Sequence, residues 1–255
     1  MVLAVSMQKG GTGKTTTVLN LGVALGELSK KVLLVDLDPQ GSLTTALGFE
    51  PDEQEHTIYE TLLAIGRREK ASPVILRTEA GPDLIPANLE MSQSDMTLAT
   101  AMRREYLLRQ ALAGVRADYD FILIDCPPTL GLLTINALTA ADEVLVPVQT
   151  EFLPAKVLPL LLRTVEEVRD SGLNSALKIR GVLLTMVDTR TTLGKQVVEQ
   201  LRANLEVPVF EEMVARSVKA AESPAMGRAI VQWERNNKVS QAYRSVAHRL
   251  ATGGA

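Results

Sequence analysis

The 255-residue chain is predicted to form an α/β fold, a mostly parallel twisted β-sheet flanked by helices on both faces. Three observations predict it. Short apolar runs alternate with longer segments of helical spacing, the runs are rich in Val, Ile and Leu without period-two alternation, and a glycine-rich turn joins the first run to the first helix. Such alternation builds βαβ units, and continuous apolar runs suit strands covered on both faces.

The runs place strands at Val2–Ser6, Lys31–Asp36, Asp83–Pro86, Phe121–Asp125, Glu143–Val148 and Ile179–Val187, with a seventh at Val207–Phe210. Helical spacing predicts helices over Lys14–Leu28, Ile58–Ile65, Leu89–Ala113, Leu130–Ala140, Leu153–Ser171, Leu193–Leu205 and Val239–Leu250. Gly22 and Gly26 inside the first helix each cost about 1 kcal/mol relative to Ala, tolerable where close packing on the sheet needs a small residue. The polar, turn-rich segment from Gly48 to Pro82 reads as a surface excursion. With no repeat and no Pro/Gly/Ser linker, one domain over residues 1–255 is expected.

Composition narrows the function classes. Hydrophobic residues make up 46% and charged residues 22%, an ordinary globular balance. The single cysteine, Cys126, excludes an internal disulfide, and with only His56 and His248 beside it no Cys/His zinc cluster can be assembled. Cys126 reads as a core thiol, both histidines as surface residues and Trp233 as a packing anchor. No basic-then-apolar leader precedes the first strand, and the apolar stretches stop short of the roughly eighteen residues a membrane span needs, so a cytoplasmic location is expected. Net charge is −3, but from Lys178 onward twelve Lys and Arg face seven Asp and Glu, which leaves −8 on the preceding part. This asymmetry points weakly to an anionic partner for the C-terminal third.

The chemistry concentrates in Lys9-Gly10-Gly11-Thr12-Gly13-Lys14-Thr15. A strand, a glycine-rich turn and a helix start aim several backbone N–H groups and the positive end of a helix dipole at one point, as a triphosphate requires. Lys14 is expected to reach the β and γ phosphates and the Thr15 hydroxyl to ligate magnesium. The loop departs from the ordinary P-loop pattern, because Gln8 stands where glycine is required and Lys9 is added. A second lysine adds charge where phosphoryl transfer moves it, unless it points to another subunit's nucleotide. Magnesium-triphosphate sites also need carboxylates at strand ends, and Asp36, Asp38 and Asp125 supply them. Asp125 closes an apolar strand in the manner that supports the metal through a water, and of Asp36 and Asp38 one serves the metal network while the other orients the attacking water.

These residues resemble the deviant-Walker P-loop ATPases, and within them the ParA/Soj partition family. The resemblance runs through Lys9–Thr17, Val35-Asp36-Leu37-Asp38-Pro39-Gln40-Gly41, Pro86-Ala87-Asn88-Leu89-Glu90, Ile124-Asp125-Cys126-Pro127-Pro128, Pro147–Glu151, Thr185–Thr191, and Glu222-Ser223-Pro224 followed by Gly227. It implies a sandwich homodimer formed on ATP binding, with Lys9 touching the partner subunit's nucleotide. Gly10, Gly11, Thr12, Gly13, Lys14, Thr15 and Thr16 then surround phosphate and Mg2+, Asp38 positions the hydrolytic water, Asp125 supports the metal, and Asp36 is a further metal candidate. The resemblance also implies non-specific DNA binding through Arg190 and Arg216, with Lys219 adding to the patch, release by hydrolysis stimulated by a ParB-like partner, and a nucleoid-associated location without membrane attachment. Contacts by Arg and Lys to phosphate give affinity without base readout. Two departures stand out: Lys156 and Val157 replace the acid and glycine that many relatives carry, and the chain opens on the first strand, as the short type does. Adenine contacts are expected from loops after late strands, near Asp188 or Pro208. A MinD-like membrane ATPase, a ParA-like ATPase for another cargo and a dethiobiotin-synthetase-like ligase are the alternatives.

Overall fold

A computed structural model describes residues 1–150, 154–188, 192–223 and 227–253, without the side chains of 154–157 and 192–194. Strands β1 (Val2–Val5), β2 (Val32–Asp36), β3 (Asp83–Ile85), β4 (Phe121–Asp125), β5 (Glu143–Gln149), β6 (Lys178–Val187) and β7 (Val209–Ala215) form one sheet in the order β3-β2-β4-β1-β5-β6-β7. Every pairing between these strands is parallel.

The helices are α1 (Lys14–Glu27), α2 (Ser42–Ala46), α3 (Ile58–Gly66), α4 (Ser94–Thr97), α5 (Leu107–Ala113), α6 (Leu132–Ala140), α7 (Pro154–Asp170), α8 (Thr192–Asn204), α9 (Val218–Glu222), α10 (Ile230–Trp233) and α11 (Lys238–Thr252). Alternate strand residues feed two separate cores. Val2, Ala4, Leu33, Val35, Ile122 and Ile124 pack under α3, α5, α6, α7 and α8, while Leu3, Val5, Leu34, Leu123 and Leu145 pack under α1, α2, α10 and α11. The central strands β1, β2 and β4 are therefore apolar at every position up to the acids that end β2 and β4, the expectation for a sheet covered on both sides. Among the described residues no helix is long and apolar enough to cross a membrane.

The structure corrects three expectations. The helix expected over Leu89–Ala113 is broken into a 3-10 turn at Leu89–Gln93, α4, an irregular stretch with Arg103 at a left-handed φ of 53°, and α5. Long-range hydrogen bonds override the local spacing: Asp95 accepts from the Leu132 amide that starts α6, and Asn136 holds both the Arg104 carbonyl and the Leu108 amide. The last strand lies at Val209–Ala215, because β7 is an edge strand that tolerates the exposed Glu211. The segment from Gly48 to Pro82 is more than a surface excursion, since α3 buries Ile58, Tyr59 and Leu62 in the core.

The two glycines of α1 serve different ends. A Cβ at Gly22 would sit 2.6 Å from Leu34 Cδ2, whereas one at Gly26 meets nothing within 4 Å. Gly22→Ala is expected to destabilise the protein by about 1–3 kcal/mol. Gly26→Ala should stabilise it by about 0.5–1 kcal/mol. Urea denaturation midpoints that move the same way in both variants would contradict the close approach of α1 to β2.

Candidate nucleotide site

The loop after β1 sits at the carboxyl ends of the strands, where the order turns from β4-β1 to β1-β5, the place where open α/β sheets bind ligands. Gly11 and Gly13 adopt left-handed φ angles of 75° and 85°, which only glycine takes without strain. Gly13 caps α1 with no side-chain hydrogen bond and no acid in the first turn, so the helix opens with its N–H groups available to an anion. Lys14 is only 7% exposed, and its Nζ donates to the Lys9 carbonyl at 3.4 Å, which folds the ammonium back over the loop. The Thr12 hydroxyl donates to the same carbonyl at 3.3 Å, and Thr185 Oγ1 on β6 holds the Thr12 carbonyl at 2.8 Å. The first turn of α1 is tied to the C-terminal part: Asn20 binds the Thr16 carbonyl and accepts from the Val231 amide, and the Thr17 and Tyr243 hydroxyls lie 3.2 Å apart.

Three acids lie at or just beyond the strand ends beside this loop, and their hydrogen-bond surroundings differ. Asp36 and Asp125 are register partners on β2 and β4, both fully buried. Asp36 accepts from the Thr44 amide and hydroxyl at 2.8 Å each and from the Asp38 amide at 3.2 Å, and so locks the loop that leads into α2. Burial pushes its carboxyl up to about 6, against the pull of those bonds. Asp125 is the opposite case, because neither of its buried oxygens has a hydrogen-bond partner. Burial, and after it the nearby Asp36 charge, hold its carboxyl well above the usual range, opposed by the Thr15 hydroxyl and the Lys14 ammonium. Asp38 is 9% exposed and accepts from the Gln40 amide at 3.0 Å, while its carbonyl binds the Gly41 amide.

A cavity of about 350 Å3 opens next to Gly13 and Thr16, walled by Thr185, Met186, Ala215 and Val218. Met186 is held at a φ of 51°, an outlier for a side chain of its size, of the kind that gathers at ligand sites. The cavity lies two residues before Asp188 and away from Pro208, which sits at the other end of β7 and binds the Val182 amide. Sequence reading named neither Met186 nor Val218 for this place. Thr185 and Thr44 also went unassigned; Thr185 lay in the resemblance block Thr185–Thr191 without a role, and Thr44 gave no signal.

The remaining candidates are spread. Arg216 is exposed and lines this cavity, and Lys219 on α9 is exposed and ion-paired with Glu234. Arg190 lies outside the described residues, as do Glu151 and the side chains of Lys156 and Val157. Cys126 is a buried core thiol whose ionisation burial makes harder still, as its sequence position suggested.

Comparison with known proteins gives the family. A family model described as an AAA domain matches residues 1–179. The chain is 41% identical over 253 residues to the sporulation initiation inhibitor protein Soj of Bacillus subtilis (strain 168), covering 99% of both chains. It is 42% identical over 255 residues to the chromosome partitioning protein ParA of Caulobacter vibrioides, covering 98% of this chain and 93% of that one. Among solved structures it is similar, with a TM-score of 0.86 and 39% identity over 98% of this chain and 93% of the other, to a Mycobacterium smegmatis protein described as cobyrinic acid a,c-diamide synthase with bound ADP and magnesium. The chain belongs to the ParA/Soj family of deviant-Walker P-loop ATPases.

Proposed function

We propose that the protein is an ATP-driven dimerisation switch that holds DNA without sequence preference, positions a chromosome or plasmid on the nucleoid, and is released by hydrolysis stimulated by a ParB-like partner. The observation that carries the reading is the phosphate loop, with its uncapped helix start and with Lys14 folded over it. Gly10 adds to it. Its φ is not left-handed and a side chain there would meet nothing within 4 Å, so the fold itself does not demand glycine. Close approach of a nucleotide or a second subunit supplies that demand, with Lys9 beside it to reach across.

Magnesium fits the residues present. Both oxygens of Asp125 are among the buried atoms of the described residues that have no hydrogen-bond partner, and the Thr15 hydroxyl is near enough to act on that carboxyl. Thr15 would ligate the ion and Asp125 would hold one of its waters, and the ion when bound supplies charge neutralisation across the phosphates. Asp36 is left out of the metal set because its oxygens are spent on Thr44 and Asp38. Gly11, Thr12, Gly13 and Thr16 line the phosphates, Asp38 orients the attacking water, and the apolar cavity beside Thr16 is the size and character for a purine.

DNA contact is assigned to Arg216 and Lys219, with Arg190 kept as a candidate from the resemblance. A membrane role is disfavoured by α11, whose apolar stripe of Val239, Tyr243, Val246 and Leu250 is buried on the α1 side of the sheet. ATP-loaded protein is expected to bind random-sequence duplex in fluorescence anisotropy, with affinity falling steeply as salt rises. Arg216→Ala should weaken binding about tenfold and reduce the salt slope by about one. Wild-type binding by that variant sinks the DNA assignment, and turnover that needs a metabolite and ignores DNA replaces it with a small-molecule synthetase.

A further inference from the structure

Trp233, the single tryptophan of the chain, belongs to neither core, although its sequence position reads as a packing anchor. Its half-buried ring lines a cavity of about 780 Å3, a volume in the range of small-molecule sites. The cavity lies on the α1 side of the sheet, where Leu47 is part of the core and Phe49 packs against it. It shares no residue with the phosphate loop or with the cavity beside Thr16.

Four stretches of chain converge there, at Phe49, Ala80, Arg228 and Trp233, and Gln232 Nε2 joins two of them by donating to the Ala80 carbonyl at 3.0 Å. Gly48 and Gly227 stand in the walls at left-handed φ angles of 86° and 62° with open space over them, so backbone faces the cavity uncovered.

The side chains define what fits. Phe49 and Trp233 offer two flat apolar rings, and among the described residues the Trp233 ring N–H has no hydrogen-bond partner. Two guanidiniums share the walls. Arg228 is exposed and has no acidic partner among the described residues, while Arg77 is fixed by Asp83 through one terminal nitrogen, which leaves the rest of its fork to a ligand. One acid, Glu79, joins them, exposed and without a basic partner among the described residues.

A flat ring that ends in phosphates answers to this set. Nucleobases stack on tryptophan, and arginine forks take phosphate oxygens in pairs. The acid selects between the purines. Guanine presents two adjacent donors, N1–H and N2–H, that one carboxylate accepts together, whereas adenine sets the bare N1 lone pair beside its amine and repels that carboxylate.

We propose that this cavity is a second nucleotide site, separate from the phosphate loop, for a guanosine phosphate bearing two or more phosphates. The base lies against Trp233 with its donor edge on Glu79, and the phosphates lie on Arg77 and Arg228. The proposal does not rest on the ATPase switch reading.

With one tryptophan in the chain, emission reports on this cavity alone. Wild type and the Lys14→Ala variant, whose phosphate loop is disabled, are each titrated with guanosine diphosphate without magnesium, with excitation at the red edge of the tryptophan band. Emission should fall to the same saturating level in both, and guanosine diphosphate should bind at least tenfold more tightly than adenosine diphosphate to Lys14→Ala. In calorimetry on that background, Trp233→Ala and Arg228→Ala should each weaken guanosine diphosphate at least tenfold. Glu79→Gln should erase the preference over adenosine diphosphate, and Arg163→Ala, which removes an exposed arginine elsewhere, should change nothing. Equal affinity for the two diphosphates, or a loss in Arg163→Ala as large as in Arg228→Ala, overturns the site. Quenching that vanishes in Lys14→Ala puts the ligand in the phosphate loop and overturns it as well. If random-sequence duplex quenches Trp233 as guanosine diphosphate does, the cavity belongs to a DNA surface and the nucleotide site falls.

Discussion

Lys14→Ala is expected to abolish ATP binding while leaving the fold intact. The ammonium stands over the uncapped start of α1 and makes one long bond, 3.4 Å, to the Lys9 carbonyl. That carbonyl also accepts from Thr12, so truncation leaves no buried acceptor orphaned. Urea midpoints should stay within about 1 kcal/mol of wild type, as expected when no buried partner is left unsatisfied. Binding is another matter. If Lys14 makes the two charge-assisted bonds to the β and γ phosphates proposed above, at about 1.5–3 kcal/mol each, their loss is on the order of 10^2- to 10^4-fold in Kd. Calorimetric titration with magnesium-ATP reads this directly, and an affinity within threefold of wild type would remove the loop as the phosphate site. Lys9→Ala provides the contrast. Its lysine stands at the mouth of the loop, so the variant should keep ATP binding within a few-fold while losing the ATP-induced dimer in size-exclusion chromatography.

The residues behind that prediction were legible in the sequence because they are contiguous. Six strand positions could be placed to within one or two residues, since runs such as Phe121–Ile124 are apolar throughout and have no competing reading. The three acids at strand ends could be found for the same reason, although their division of labour could not. Asp36 and Asp38 look equivalent two residues apart on one strand end, and only the clamp by Thr44, eight residues on in the middle of a five-residue helix, makes Asp36 a structural anchor. The cavity beside Thr16 was invisible for a related reason, because it joins Gly13 to Met186 and Val218 across most of the chain. The break in the expected helix over Leu89–Ala113 likewise comes from partners on α6, not from its own residues. Local pattern identifies elements that carry their own signal; contacts that cross the sheet override or complete them without leaving a mark nearby.

The division between the two acids leads to the second large effect. Asp38→Ala is expected to slow hydrolysis by about 10^2- to 10^4-fold, the span for loss of a residue that orients or deprotonates water. ATP affinity should hardly change. The loop does not depend on the Asp38 side chain for its shape, because its course is fixed by the Asp38 amide on Asp36, the Gly41 amide on the Asp38 carbonyl and the left-handed Gly41 at a φ of 61°. Only the bond from the Gln40 amide is lost, at a position that reaches solvent. The variant should therefore accumulate as an ATP-bound dimer, visible by light scattering, and stay on DNA when the wild type has let go. Asp36→Ala should behave differently, since it strips Thr44 and Asp38 of a buried acceptor and loosens the loop as a whole, so that ATP binding and turnover fall together. Turnover that survives Asp38→Ala, or two variants that fail alike, would mean that the water is positioned by a group outside this loop.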